Sequence, residues 1–136
     1  MKIKLFIVLG LICTAFIVSG FMKIKSLILF NTQPITRANL LSDSKNFVSG
    51  NRIYYIFMTE KEMKNKYIRV QIFKMTDKAP WGGNEVVRTK DYRLMKDEKY
   101  YHTDYFTLYE KGRYVMQVFS MDNLQKPLAL NDFYVK

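Results

Sequence analysis

The one histidine of the chain, His102, stands in Tyr101-His102-Thr103-Asp104. Residues two apart on a strand share a face, so His102 and Asp104 are predicted neighbours, and a carboxylate beside an imidazole can poise a general base. Such a base needs a Ser or Cys to activate, or further ligands to hold a metal, and the sequence nominates neither. The pair therefore reads as a surface histidine with a nearby carboxylate, and no catalytic residue is assigned. Glu60/Glu62 and Asp97/Glu98 are acidic pairs set in Lys-rich turns, where mixed charge solvates a loop. Trp81-Gly82-Gly83 lacks the Lys-Ser/Thr of a phosphate cradle. One Cys and one His cannot supply the three or four N/S ligands of a zinc site, and the six Met beyond Met1 and Met22 are scattered singly. No metal and no cofactor are expected.

Two features suit binding. Asp77-Lys78-Ala79-Pro80-Trp81-Gly82-Gly83-Asn84 is a loop with an aromatic near its tip. Trp supplies large contact area with a polar handle, so Lys78, Pro80, Trp81 and Asn84 are the candidate contact residues; the alternative is that Trp81 folds back to cap one end of the fold. The second feature is the mixture of ten Tyr with Arg52, Arg69, Lys90, Arg93, Lys99 and Arg113. Aromatics among cations suit anionic wall or lipid polymers, while the plainer reading is surface charge that keeps a β protein soluble. Nothing resembles a helix for the DNA major groove, so specific nucleic-acid binding is not expected.

The elements that position these residues begin with a leader. Leu5 to Met22, LFIVLGLICTAFIVSGFM, carries no charge and follows Lys2 and Lys4. A membrane-spanning helix needs about 20 apolar residues, so residues 1–25 read as a retained anchor helix or, with cleavage after Ala15 or Gly20, as a signal peptide. Lipidation at Cys13 is a third possibility, but Ile12 departs from the small residue that the lipobox requires just before its Cys. The charge follows the same division. Of the net +10, Lys2, Lys4, Lys23 and Lys25 account for four, leaving 18 basic against 12 acidic residues from Ser26 onward. That modest +6 weakens the nucleic-acid inference that the raw total invites.

Residues 26–34, with Pro34, read as a linker, and 35–136 as one domain, since 136 residues leave room for a single core. Seven strands are predicted: Thr36–Leu41, Arg52–Thr59, Tyr67–Met75, Glu85–Leu94, Tyr101–Tyr109, Arg113–Met121 and Leu128–Val135. Ile68, Val70 and Ile72 alternate with Arg69 and Gln71, as a sheet with one wet face requires. Arg52–Thr59 is apolar on both faces and is predicted to be central. Glu60–Lys66 is predicted to be a charged hairpin loop, too short for a stable helix.

Short strands with turns every 10 to 15 residues point to an antiparallel β-sandwich. Leu108-Tyr109-Glu110-Lys111-Gly112-Arg113-Tyr114 resembles the corner of immunoglobulin-like and fibronectin-like domains in which a Gly makes the turn and a Tyr two residues later opens the next strand. The resemblance implies an all-β, seven-stranded antiparallel immunoglobulin-like β-sandwich, which the apolar run Leu5–Met22 precedes with an N-terminal hydrophobic helix. It also implies structural roles for Gly112 and Tyr114, and it carries no activity. The expected function is a non-enzymatic binding or assembly module of the cell envelope. Its membrane contact would run through the N-terminal segment, with an envelope protein or an anionic wall or lipid polymer as partner. A small β-sandwich protease inhibitor or an accessory subunit is the alternative, and an enzyme would show a concave pocket around His102. The domain is expected on the extracytoplasmic side, or secreted if the leader is cleaved.

Overall fold

The computed structural model describes residues 26–76 and 84–136. They form eight strands: β1 (Ser26–Asn31), β2 (Asn46–Phe47), β3 (Arg52–Thr59), β4 (Tyr67–Met75), β5 (Asn84–Arg93), β6 (Tyr101–Thr107), β7 (Gly112–Ser120) and β8 (Ala129–Val135). One sheet has the order β1-β3-β6 and the other β2-β8-β7-β4-β5. No helix among the described residues is long and apolar enough to cross a membrane, and the predicted leader helix, with Cys13, lies outside them.

The alternation read from β4 sets the core. Ile68, Val70 and Ile72 are buried and pack with Ile53, Tyr55 and Phe57 of β3, Tyr114, Met116 and Val118 of β7, and Phe133 of β8. β3 lies between β1 and β6, covered on both faces. Its second face is closed by Leu40, which is buried against Ile56 and Met58.

That contact explains the largest departure from the predicted strands. Thr36–Leu41 is a turn and not a strand, because Leu40 serves as a plug over the back of β3; burying such a side chain is worth about 1.5–3 kcal/mol. The first strand is instead Ser26–Asn31, drawn from the predicted linker, with Ile28 and Phe30 in the main core. Among the described residues there are thus eight strands and not the predicted seven. The pairing is also not wholly antiparallel, since β2 runs parallel to β8 through Asn46↔Tyr134 and Phe47↔Val135. Glu60–Lys66 joins strands of different sheets, so it is a crossover and not a hairpin loop.

Ser26 pairs with Thr59, and the β3–β4, β5–β6 and β7–β8 connections share that end of the sandwich. Met75 pairs with Asn84 at the other end.

Candidate functional site

Lys78, Pro80 and Trp81 lie outside the described residues. Asn84 is exposed and opens β5, the terminal strand of the five-stranded sheet. Eight of the ten residues of β5 are exposed, Val86 at 50% and Val87 at 39%. Opposite Ile72 and Phe73 the register shifts from Arg88 to Val86, leaving Val87 as a bulge. Beyond the bulge the pairing is regular, with Arg88, Lys90 and Tyr92 opposite the buried Ile72, Val70 and Ile68, so their side chains leave the sheet on its inner face. Thr89 and Asp91 leave on the outer face, where Arg69 grips the Asp91 carboxylate through two nitrogens at 2.8 and 3.1 Å.

The three-stranded sheet faces the inner side of β5 with β6. Tyr92 donates its phenol proton to Asp104 Oδ2 at 2.5 Å, and Lys90 Nζ lies 3.6 Å from the same oxygen and 4.9 Å from the centre of the Tyr92 ring. Asp104 is held below the usual carboxylate range: burial opposes ionisation, but the bonds from Tyr92 and the Tyr105 backbone, with the charge of Lys90, outweigh it. Burial, and then the bond to Asp104, push the Tyr92 phenol up to about 12.

Behind this flank sits His102, 4% exposed, its ring centre 4.2 Å from that of Tyr92. The surface histidine expected from sequence is therefore a core residue. Its Nδ1 is 3.1 Å from Glu98 Oε2 and its Nε2 is 3.2 Å from the Tyr55 hydroxyl. Burial lowers the imidazole pKa, and Glu98 only partly restores it, so His102 is neutral at pH 7. Donor accounting then fixes the tautomer. The carboxylate only accepts, so Nδ1–H donates to Glu98 and the Tyr55 hydroxyl donates to Nε2. Glu98 is accordingly not a solvated turn residue; its side chain is 16% exposed and turned onto His102.

Carboxylate, imidazole and hydroxyl stand in the order of a nucleophilic relay, yet the hydroxyl belongs to Tyr55. That residue is 1% exposed, and burial raises its phenol pKa far above the ordinary value. The Tyr55 oxygen is a held donor with no open side for a substrate. Among the described residues no group of three or more His, Cys, Asp or Glu could hold a metal ion. The chemistry this cluster supports is adhesion between sheets: β3, β5 and β6 are joined by satisfied polar contacts. His102–Asp104 was legible as a pair on one face. Tyr55 and Tyr92 were not, since only the packing of β3 and β5 around β6 brings them there, and Glu98 reads from sequence as a solvated turn residue although the β5–β6 connection folds it onto His102.

The cations named in the sequence do not gather into one patch. Arg52 stacks on Tyr105 at 4.6 Å, Arg113 is bonded to Asp132 at 2.9 Å, and Lys99 lies 3.8 Å from Glu62. Arg69, Lys90 and Arg93 belong to the β4–β5 edge region.

At the corner before β7, the Tyr114 hydroxyl donates to the Glu110 carbonyl at 2.5 Å, and its ring stacks on Phe133 with centres 5.6 Å apart. Gly112 has φ of 156°, and a Cβ there would come within 2.9 Å of the Lys74 chain, whose ammonium is bonded to Glu110.

No family model matches the chain, and no curated protein matches it. Among solved structures, an immunoglobulin-like protein from Pseudomonas aeruginosa is 14% identical with a TM-score of 0.49, covering 80% of this chain and 91% of that one. The PmoD soluble domain from a Methylocystis species is 15% identical with a TM-score of 0.47, covering 82% and 90%. A CARDB domain from Pyrococcus furiosus, crystallised with di-metal ions, is 12% identical with a TM-score of 0.42, covering 82% and 86%. The fold follows from the chain's own order. β1-β3-β6 corresponds to strands A, B and E of the immunoglobulin sandwich, β8-β7-β4 to G, F and C, and β5 extends the second sheet beside C. With Tyr114 closing the tyrosine corner, the described chain has an immunoglobulin-like β-sandwich fold.

Proposed function

We propose that the chain is an exported, membrane-tethered, non-enzymatic binding or assembly module of the cell envelope, and that β5 with the loop leading into it presents its binding surface. One observation carries this reading: β5 is the terminal strand of its sheet among the described residues, and eight of its ten residues are exposed. Unpaired N–H and C=O groups on such an edge are a template for another extended chain. The candidate contact residues Lys78, Pro80 and Trp81 closely precede Asn84 in the sequence. The apolar stretch from Leu5 to Met22 supports the tether. The buried, fully partnered His102 cluster supports a structural role for the groups that an enzyme would otherwise employ.

The test is photocrosslinking in intact cells expressing the full-length chain, with a photoreactive residue at Val87 and a control at Leu130, which is 60% exposed on β8. A discrete adduct from Val87, absent from Leu130, in a fraction that stays with membranes after carbonate extraction is the expected result. Recovery in the cytosol would refute the export, and equal adducts from both positions would refute the edge.

A further inference from the structure

The edge of β5 carries its own selection rule. Between Arg88 and Arg93 the strand pairs regularly with β4, while Val87 bulges out before it. Bulges and inward-pointing charges are the devices by which β proteins prevent indiscriminate edge pairing. Within Arg88–Arg93 the inward charges are of one sign, while Glu85, opposite Lys74, lies beyond the bulge. Arg88 and Lys90 both leave on the inner face, next to Tyr92, and the carboxylate facing them, Asp104, is already engaged by Lys90 and Tyr92. On the outer face, Asp91 is held by Arg69 and Thr89 lies 3.3 Å from Gln71. A strand laid along this edge would therefore meet, on one face, the Arg88 guanidinium and the Lys90–Asp104 pair, together a net positive charge, and engaged polar groups on the other.

A second copy fits poorly. Antiparallel self-pairing centred on Thr89 would set Arg88 against Lys90 of the other copy, and pairing centred on Lys90 would set the two lysines together; like charges directly opposite destabilise a pair. The same arrangement suits the opposite sign. We propose that the Arg88–Arg93 edge binds an extended acidic peptide segment by strand addition, with carboxylates at alternate positions lying beside Arg88 and Lys90 on the inner face. This rests on the reading of β5 as the binding edge and names the chemistry of its partner. The strand hydrogen bonds would supply affinity, and the cations would exclude neutral or basic strands.

The test uses the purified full-length chain in detergent and two fluorescent ten-residue peptides, one alternating Glu and Thr and the other Lys and Thr, read by anisotropy. The acidic peptide is expected to bind at least ten times more tightly than the basic one. Arg88→Glu should reduce that ratio at least tenfold, and Arg88→Glu with Lys90→Glu should reverse it. The single variant leaves the Lys90–Asp104 contact intact, and far-ultraviolet circular dichroism confirms that each variant is folded. An acidic peptide N-methylated at alternate residues keeps its charge but cannot add as a strand, and is expected not to bind. Equal binding of all three peptides, no binding at millimolar concentration, or undiminished binding of the methylated peptide would overturn the proposal. So would a dimer of the unliganded chain that the acidic peptide fails to compete with. Because the peptides are added to purified protein, these failures are independent of the export and crosslinking results that test the tethered module itself.

Discussion

Tyr92 of β5 and Asp104 of β6 meet at 2.5 Å, so the terminal strand of one sheet is fastened to the terminal strand of the other by a phenol and a carboxylate. The fastening matters because the three-stranded sheet is too narrow to cover β5 with apolar side chains. Tyr92→Phe keeps the ring against His102 and removes the hydroxyl, which donates to Asp104 and is also met by Tyr55 and Arg88. A hydrogen bond to a charged group contributes about 1.5–3 kcal/mol, and Asp104 is partly exposed, so the lower end is expected. Chemical denaturation measures the loss. Amide exchange should quicken in β5 more than in β7, and uniform quickening would argue against the fastening.

The same flank makes stability depend on pH. His102 is neutral in the fold because burial lowers its pKa from the ordinary 6.5. The unfolded chain therefore binds the proton first, and stability that is fully present above pH 6.5 declines as the pH falls toward the folded-state pKa. A second decline belongs to Asp104, Asp91 and Asp132, whose pKa values all lie below 3.8, and it begins as the pH falls below that value. His102 is the one histidine, so His102→Gln should flatten the upper decline and leave the lower one, as read from melting temperature between pH 7.5 and 3. Persistence of the upper decline in that variant would assign it to another group.

Tyr114 offers a cleaner test of the corner. Tyr114→Phe retains the stacking on Phe133 and removes the bond to the Glu110 carbonyl, with an expected cost of about 1 kcal/mol. Tyr114→Ala also opens a cavity among Phe133 and its neighbours, and about 3–5 kcal/mol is expected. Equal losses for the two variants in urea unfolding would mean that the hydroxyl, and not the ring, holds the corner.

What the sequence revealed follows from where the information resides. Ile68, Val70 and Ile72 announce the inner face of β4 because period-two alternation is local, and Gly112 with Tyr114 announces the corner because its parts are two residues apart. Ser26–Asn31 was hidden for the opposite reason: Leu27, Ile28, Leu29 and Phe30 continue the apolar character of the leader with only Lys23, Lys25 and Ser26 between, so no break in composition marks where the domain begins. Leu40 looked like a strand residue because a plug and a strand bury the same side chain. Tyr55 and Tyr92 converge on His102 and Asp104 from β3 and β5, and Glu98 turns back onto His102 from the β5–β6 connection; the strand alternation that places His102 beside Asp104 gives no sign of either approach.

The positions of Ser26 and Asn84 give the last expectation. Ser26 stands at the end of β1 where β3 finishes and β4 begins, whereas Asn84 pairs with Met75 after β4 has run nine residues in the other direction. At about 3.3 Å per residue those nine residues span about 30 Å. If the proposed tether holds residues 5–22 in a membrane, Ser26 follows Met22 by four residues, at most about 14 Å of extended chain. Under that proposal the end bearing Ser26 would lie close to the lipid and Asn84 about 30 Å farther out, which would direct the start of β5 away from the membrane. Full-length chain carrying Cys13→Ser, with Asn84→Cys or Leu128→Cys for a fluorescent label, can be reconstituted in vesicles containing a headgroup quencher. Leu128 lines the same cleft as Ser26, so its label should be quenched several-fold more strongly than the label at residue 84. Equal quenching, or stronger quenching at residue 84, would mean that the sandwich lies on its side or that the leader does not hold it, and carbonate extraction of the same vesicles tells those two outcomes apart.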